Sequence, residues 1–313
     1  MPISISILGL GKMGENHLRV LSLMKDVEIK FIYDQDKKRL NELSKSYNVN
    51  STQSLEEAVS NCDAIYISTP TNTHLSFFKK CTNKVENIFL EKPPAANLSD
   101  SIKLEELSIQ NNNFVQCGFI ERFNPTITSL KKILKKNNTL NIDFMRTNKL
   151  SERIKDVDVV IDLMVHDIDL AIYFNGSVKN VFAFNKKVKN KIVFSSAVLE
   201  HKNGSFSRIL ASRITEKKIR SMDVTTNKEF IEAELLQKTL IVNKQSQILE
   251  NKNIAYQIDS VRQQIEVPSQ EPLFLENQAF IDRCLKKSNL KVPDLKSSIE
   301  VMKVANKVIN FKL

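Results

Sequence analysis

The stretch Ile3-Ser4-Ile5-Ser6-Ile7-Leu8, followed at once by Gly9-Leu10-Gly11-Lys12-Met13-Gly14, decides how this chain folds. The first six residues read as a short, buried, β-branched strand. The next six put glycine at positions one, three and six, and a helix pattern near Asn16–Met24 follows. A strand that turns sharply into a helix gathers the helix's first N–H groups at one point. Those groups, with the positive end of the helix dipole, suit a phosphate. Gly9 allows the tight turn, Gly11 lets the backbone approach the anion, and Gly14 lets helix and strand pack closely. The chain has only six glycines, so three in one hexapeptide are not background.

Moving outward, strand and helix patterns alternate to about residue 118. Strands are expected at Ile29–Tyr33, near Val49, at Ala64–Ser68, Ile88–Leu90 and Phe114–Cys117. Helices are expected at Lys37–Tyr47, from Ser54 (with Glu57 completing a capping box), at Thr73–Cys81 and from Ser99 to Gln110. That alternation predicts an α/β, doubly wound parallel sheet, a dinucleotide-binding Rossmann domain over 1–118. From 119 to 313 the texture changes. A helix is expected at Thr126–Lys136, a strand at Asn141–Arg146, a long apolar helix at Val159–Phe174, then six strand patterns between Val181 and Val242. Two helices, Leu275–Leu285 and Lys296–Val308, close the chain. This half is expected to be an α+β domain with a large, mostly antiparallel sheet.

Asp34 stands at the end of the second strand, twenty positions after Gly14. A carboxylate there accepts the ribose hydroxyls of NAD and repels the extra phosphate of NADP. Lys37 and Lys38 leave NADP open, and Asp34 as a helix N-cap is the structural alternative. Two more segments lie just past strand ends, where ligands of such sheets bind: Thr69-Pro70-Thr71-Asn72-Thr73-His74 and Glu91-Lys92-Pro93. A partly desolvated Lys92 would serve as an acid or hydrogen-bond partner; a solvated loop lysine is the plain alternative. In the second half, Asp162, His166 and Asp169 recur at i, i+4 and i+7 on an otherwise apolar helix. Asp162 could orient His166, and His166 could take a hydroxyl proton.

Together these segments resemble the Gfo/Idh/MocA family of sugar and cyclitol dehydrogenases across essentially the whole chain. The resemblance implies a catalytic set of Lys92, Asp162 and His166, and an open-faced C-terminal sheet used for homodimer or homotetramer contacts. It also implies a cofactor site of Gly9, Gly11, Lys12, Met13, Gly14, Asp34, Thr69, Pro70, Asn72, His74, Glu91 and Lys92. Gly118-Phe119-Ile120-Glu121-Arg122-Phe123-Asn124-Pro125 and Arg153-Ile154-Lys155-Asp156-Val157 are similar to the UDP-N-acetylglucosamine 3-dehydrogenase branch. That branch oxidises the sugar 3-hydroxyl and hands the ketone to an aminotransferase. The likeness implies a substrate site of Lys92, Arg122, Asn124, Arg153, Asp162 and His166, with Arg122 and Arg153 toward the diphosphate. The branch usually has glycine where this chain has Asp158. Either His166 or Lys92 could be the general base.

Composition bounds the rest. The net charge of +10 comes from lysines scattered among Asn and Glu, which reads as a solvated basic surface and not a nucleic-acid site. No apolar run reaches the ~20 residues that span a bilayer, no membrane association is expected, and the expected location is the cytoplasm. Cys62, Cys81, Cys117 and Cys284 are widely spaced, expected as reduced thiols with no metal site. Three competing functions stay open at this point: an inositol or free-sugar dehydrogenase, a non-catalytic dinucleotide-binding regulator, and, on charge alone, a nucleic-acid binder.

Overall fold

The computed structural model describes residues 2–60, 62–134, 139–149, 158–245, 247–251, 254–259 and 261–312. The chain forms two compact units, Met1–Ile120 with Glu271–Met302, and Glu121–Gln270 with Lys303–Leu313.

The first unit carries strands β1 (Ile3–Leu8), β2 (Val27–Tyr33), β3 (Ser51–Thr52), β4 (Ala64–Ile67), β5 (Asn87–Leu90) and β6 (Phe114–Cys117). All pairs are parallel, in the order β3-β2-β1-β4-β5-β6. Helices α1 (Lys12–Leu21), α2 (Lys37–Tyr47), α3 (Leu55–Val59), α4 (His74–Cys81) and α5 (Leu98–Gln110) are the crossovers. Strand β1 is apolar because it is the central strand: Ile5, Ile7 and Leu8 are fully buried. The strand order reverses between β1 and β4, and a sheet of this kind opens its ligand crevice at that point.

The second unit begins with α6 (Pro125–Leu134) and β7 (Thr139–Thr147). A π-helical turn, Val160–Met164, leads into α7 (Val165–Asn175). The remaining strands are β8 (Val178–Val188), β9 (Lys191–His201), β10 (Phe206–Ser212), β11 (Ile219–Thr226), β12 (Glu229–Glu234), β13 (Thr239–Lys244), β14 (Gln247–Asn251), β15 (Ile254–Asp259) and β16 (Arg262–Ile265). Seven of them join β7 in one eight-stranded sheet, β16-β13-β12-β11-β7-β10-β9-β8, and β14 and β15 pair separately. Within the large sheet only β7 and β10 run parallel. Side chains alternate across it. Ile142, Phe144, Ile209, Met222 and Ile231 are buried, on the side where α6 and α7 pack. Met145, Phe182, Phe184 and Phe230 are exposed on strands of the same sheet.

The chain then forms α8 (Pro272–Cys284) and α9 (Leu295–Ile309). The first unit therefore contains a segment that a boundary at residue 118 leaves out. Leu273, Phe280 and Ile281 sit in its hydrophobic core beside Leu18, Tyr66 and Phe89. The unit needs them, because α1 and α8 pack on each other. Among the described residues no helix is long and apolar enough to cross a membrane.

Candidate active site

Three glycine positions behave as three different constraints. Gly9 has φ +89°, and a Cβ there would come within 2.7 Å of Thr69 N. A Cβ on Gly14 would lie 1.9 Å from Gly9 O, so the turn closes only without it. A Cβ on Gly11 would meet nothing within 4 Å. Gly11 borders open space, and it is the N-cap of α1, which no side chain caps. The first-turn N–H groups of α1 thus point at a place where an anion can sit.

That place belongs to a cleft of about 550 Å³. It is lined by Gly9, Gly11, Lys12, Met13, Asp34, Thr69, Pro70, His74, Glu91 and Lys92. Gly14 lies behind the loop, and Asn72 is exposed in the 3-10 turn Thr71–Thr73, away from the lining. Sequence reasoning missed Tyr33, Gln35 and Phe77, which also line the cleft; the Tyr33 and Phe77 rings meet edge-on at 5.9 Å. Asp34 accepts from Leu10 N (2.6 Å) and Asp36 N (2.9 Å). The N-cap of α2 is Asp36, whose side chain accepts from Lys38 N and Arg39 N. Asp34 is therefore not spent as a cap, and its carboxylate is held at the rim of the cleft. These residues fit a dinucleotide: an open anion cradle at Gly11, and a fixed carboxylate at the end of β2.

Lys92 follows β5, half-buried, and the Lys92–Pro93 bond is cis. Glu91 before it is buried, accepting from Lys92 N (3.1 Å) and meeting His17 Nε2 at 2.8 Å. His74 is buried with Nε2 at 2.8 Å from Thr69 O and Nδ1 at 3.1 Å from Pro93 O. It ties the two loops together. Burial lowers the pKa of His74 below its ordinary value, and the surrounding carbonyls only partly offset that.

In the second unit Asp162 and His166 are both half-buried. Asp162 lies in the π turn, where Val165 N returns to Val160 O in an i→i+5 bond. That closure puts one extra residue in the turn, so the face expected of a regular α-helix is not kept. Asp169 leaves it: it is fully buried and accepts from Arg122 Nε (2.8 Å) and Nη2 (2.5 Å). Asp162 Oδ2 instead receives Arg213 Nη2 at 3.3 Å, with the Arg213 side chain 7% exposed. Asp158, expected only as an extra acid, anchors the turn: its Oδ1 accepts from Ile192 N at 2.7 Å.

Behind α7 lies a buried ionic cluster that no local spacing announced. Arg146 bridges Asp167 (2.7 Å) and Glu121 (2.9 Å), and Arg220 reaches Glu121 at 3.3 Å. Burial pushes Glu121 up, but Arg146 and Arg220 overcome it and hold the carboxyl below its usual range. Burial wins at Asp167 and Asp169, whose pKa values are raised. Arg122 was expected to face a diphosphate; its fork is on Asp169, because a guanidinium and a carboxylate that are buried together pair. Asn124 is buried too, with Nδ2 on Glu121 and Leu235 O and Oδ1 accepting from Thr126 N. Arg153 lies outside the described residues.

Residues 3–119 match the model of the Gfo/Idh/MocA oxidoreductase family, NAD-binding Rossmann fold. The chain is 23% identical over 236 residues to a UDP-N-acetylglucosamine 3-dehydrogenase of Acidithiobacillus ferrooxidans, covering 75% of this chain and 74% of that one. The solved structure of that dehydrogenase superposes with a TM-score of 0.88 at 20% identity, over 98% and 97% of the two chains. A myo-inositol 2-dehydrogenase of Thermotoga maritima is 26% identical over 192 residues, 57% of each chain. An Agrobacterium radiobacter oxidoreductase solved in complex with NAD+, L-tartaric acid and magnesium superposes with a TM-score of 0.82 at 17% identity, over 98% and 95%. The match to the NAD-binding Rossmann fold of the Gfo/Idh/MocA oxidoreductase family covers residues 3–119, and the glycine cradle and the cleft-lining loops at Thr69 and Lys92 lie within it.

Proposed function

We propose that this chain oxidises a secondary hydroxyl of a sugar nucleotide, the 3-hydroxyl of UDP-N-acetylglucosamine, with NAD in preference to NADP. The observation that carries the reading is Lys92 lining the same cleft as the glycine loop and Asp34. A cation set at the edge of a dinucleotide cradle suits an alcohol oxygen brought to that cofactor. Bound nicotinamide would supply the hydride acceptor. Gly11 and the first turn of α1 would hold the cofactor's pyrophosphate, and Asp34 would accept from its ribose. Lys92 donates a hydrogen bond to the substrate oxygen as it becomes a carbonyl. His166 takes the hydroxyl proton, and Asp162, held by Arg213, orients the imidazole. Arg122 and Arg153 are the proposed diphosphate contacts and Asn124 a proposed substrate contact, with Arg122 anchored on Asp169 and Asn124 on Glu121. The protein would act as a homodimer or homotetramer through the open sheet face, coupled to an aminotransferase that consumes the ketone.

The test is NADH formation from NAD and a panel of UDP-sugars, with an aminotransferase coupled to remove the ketone. UDP-N-acetylglucosamine is expected to be turned over; no response to any UDP-sugar would end the narrow assignment. Lys92→Met and His166→Asn should each lower turnover by about 10²–10⁴ with NAD binding retained. The inositol dehydrogenase likeness favours one second reading, in which polyols are oxidised and UDP-sugars are not. NADH from myo-inositol in the same panel would select it.

A further inference from the structure

His17 is completely buried, in the middle of an aromatic cluster, yet it has a polar partner at each ring nitrogen. Its ring lies 4.9 Å from that of Phe89 and 5.2 Å from that of Tyr66. Nδ1 is 3.0 Å from Asn277 Oδ1 on α8, and Nε2 is 2.8 Å from Glu91 Oε1 at the end of β5. The Asn277 amide donates its Nδ2 to Leu273 O at 2.9 Å, so its oxygen must be the atom that faces His17. That assigns a proton to Nδ1. A single further proton then bonds Nε2 to Glu91 Oε1, from whichever side it is counted.

Glu91 has no freedom left. Its second oxygen accepts from Lys92 N at 3.1 Å, and its carboxyl group lies against Gly118, where a Cβ would come within 3.1 Å. One carboxylate thus joins a buried imidazole on the helix that follows the glycine loop to the backbone amide of Lys92. A histidine placed only to fill a core would need neither bond, since an apolar ring fills the same space without polar atoms to satisfy.

We infer that His17 is a positioning residue for Lys92, acting through Glu91, so that the lysine is set by the same helix that holds the cofactor loop. This rests on the reading that Lys92 meets the substrate oxygen. Removing the His17 end of this chain should let the Lys92 peptide shift without removing any group that lines the cleft.

The experiment measures the acylation rate of Lys92 relative to Lys45, exposed on α2 and outside the cleft, in the NAD-bound protein, by competitive labelling with acetic anhydride and mass spectrometry. His17→Leu and Glu91→Gln should each change that ratio by about threefold or more and lower kcat about tenfold, the size of one charge-assisted hydrogen bond. The Michaelis constant for NAD should hold in His17→Leu, whose side chain does not line the cleft. His17→Gln, which can still donate to Glu91, should restore most of the ratio. The double variant should lose no more than the worse single variant. An unchanged ratio and kcat, with only the melting temperature lowered, would make His17 a core residue and nothing more. If His17→Leu does not fold, Glu91→Gln reads the same link. The labelling needs no substrate, so it decides the role of His17 even if every UDP-sugar fails as substrate.

Discussion

Around the glycine loop the backbone is fixed by shape, with a Cβ on Gly14 excluded at 1.9 Å from Gly9 O. Around α7 it is fixed by charge, with Arg146 and Arg122 clamping Asp167 and Asp169. The two regions resist change differently. A shape constraint fails by overlap at one atom. A charge constraint fails as a set, because removing one ion leaves its partners buried and unmatched.

The largest effect should come from Arg146→Met, which strips Asp167 and Glu121 of their shared cation. A loss of about 3–5 kcal/mol is expected in urea unfolding; a loss like that of a surface substitution would break the comparison. Gly14→Ala should cost about 1–3 kcal/mol through overpacking. Gly11→Ala should leave stability within about 0.5 kcal/mol and weaken NAD binding instead, read by calorimetry. Equal destabilisation by the two alanines would show that the loop is not shaped as described. Asp158→Gly removes the acceptor for Ile192 N and should cost about 1 kcal/mol, with the melting temperature as readout.

The smallest effect is a pH dependence. His74 has its folded pKa lowered from 6.5, so the folded state binds less proton than the unfolded chain. Its share of stability is complete above 6.5 and is lost as pH falls below that value. Glu121, lowered from 4.5, loses its share only in more acid solution. The melting temperature should therefore begin to fall between about pH 6.5 and 5, and His74→Asn should flatten that limb. An unaltered limb in the variant would move the effect elsewhere, with His201, also lowered by burial, as the next group to change.

The elements legible in the sequence were those set by neighbours along the chain. Ile3–Leu8, the three glycines, the strand ends at Thr69 and Glu91, and the six strand patterns after Val181 all follow from local periodicity. The π turn was not legible, since Asp162 and His166 have the same spacing in either helix. The partners of His17 lie 74 and 260 positions away, and those of Arg122 and Arg146 21 to 47 away. No window that reads periodicity contains such pairs. The same reason hid the return of residues 271–302 to the first unit, whose helical pattern was clear but whose neighbours were not.

That return has a consequence for the order in which the protein is made. The first 120 residues leave the ribosome before Leu273, Phe280 and Ile281, which complete their core, and before Asn277, which completes the polar contacts of His17. Residues 121–270 come in between, 150 in number. At about 5–20 residues per second, roughly 8–30 s pass with the nascent dinucleotide fold unfinished. During that interval Tyr66 and Phe89 lack the ring of Phe280 that later meets both. A growing chain of this kind exposes apolar surface until α8 arrives, and pulse-labelled ribosome complexes should show NAD-dependent protease resistance only after α8 has emerged.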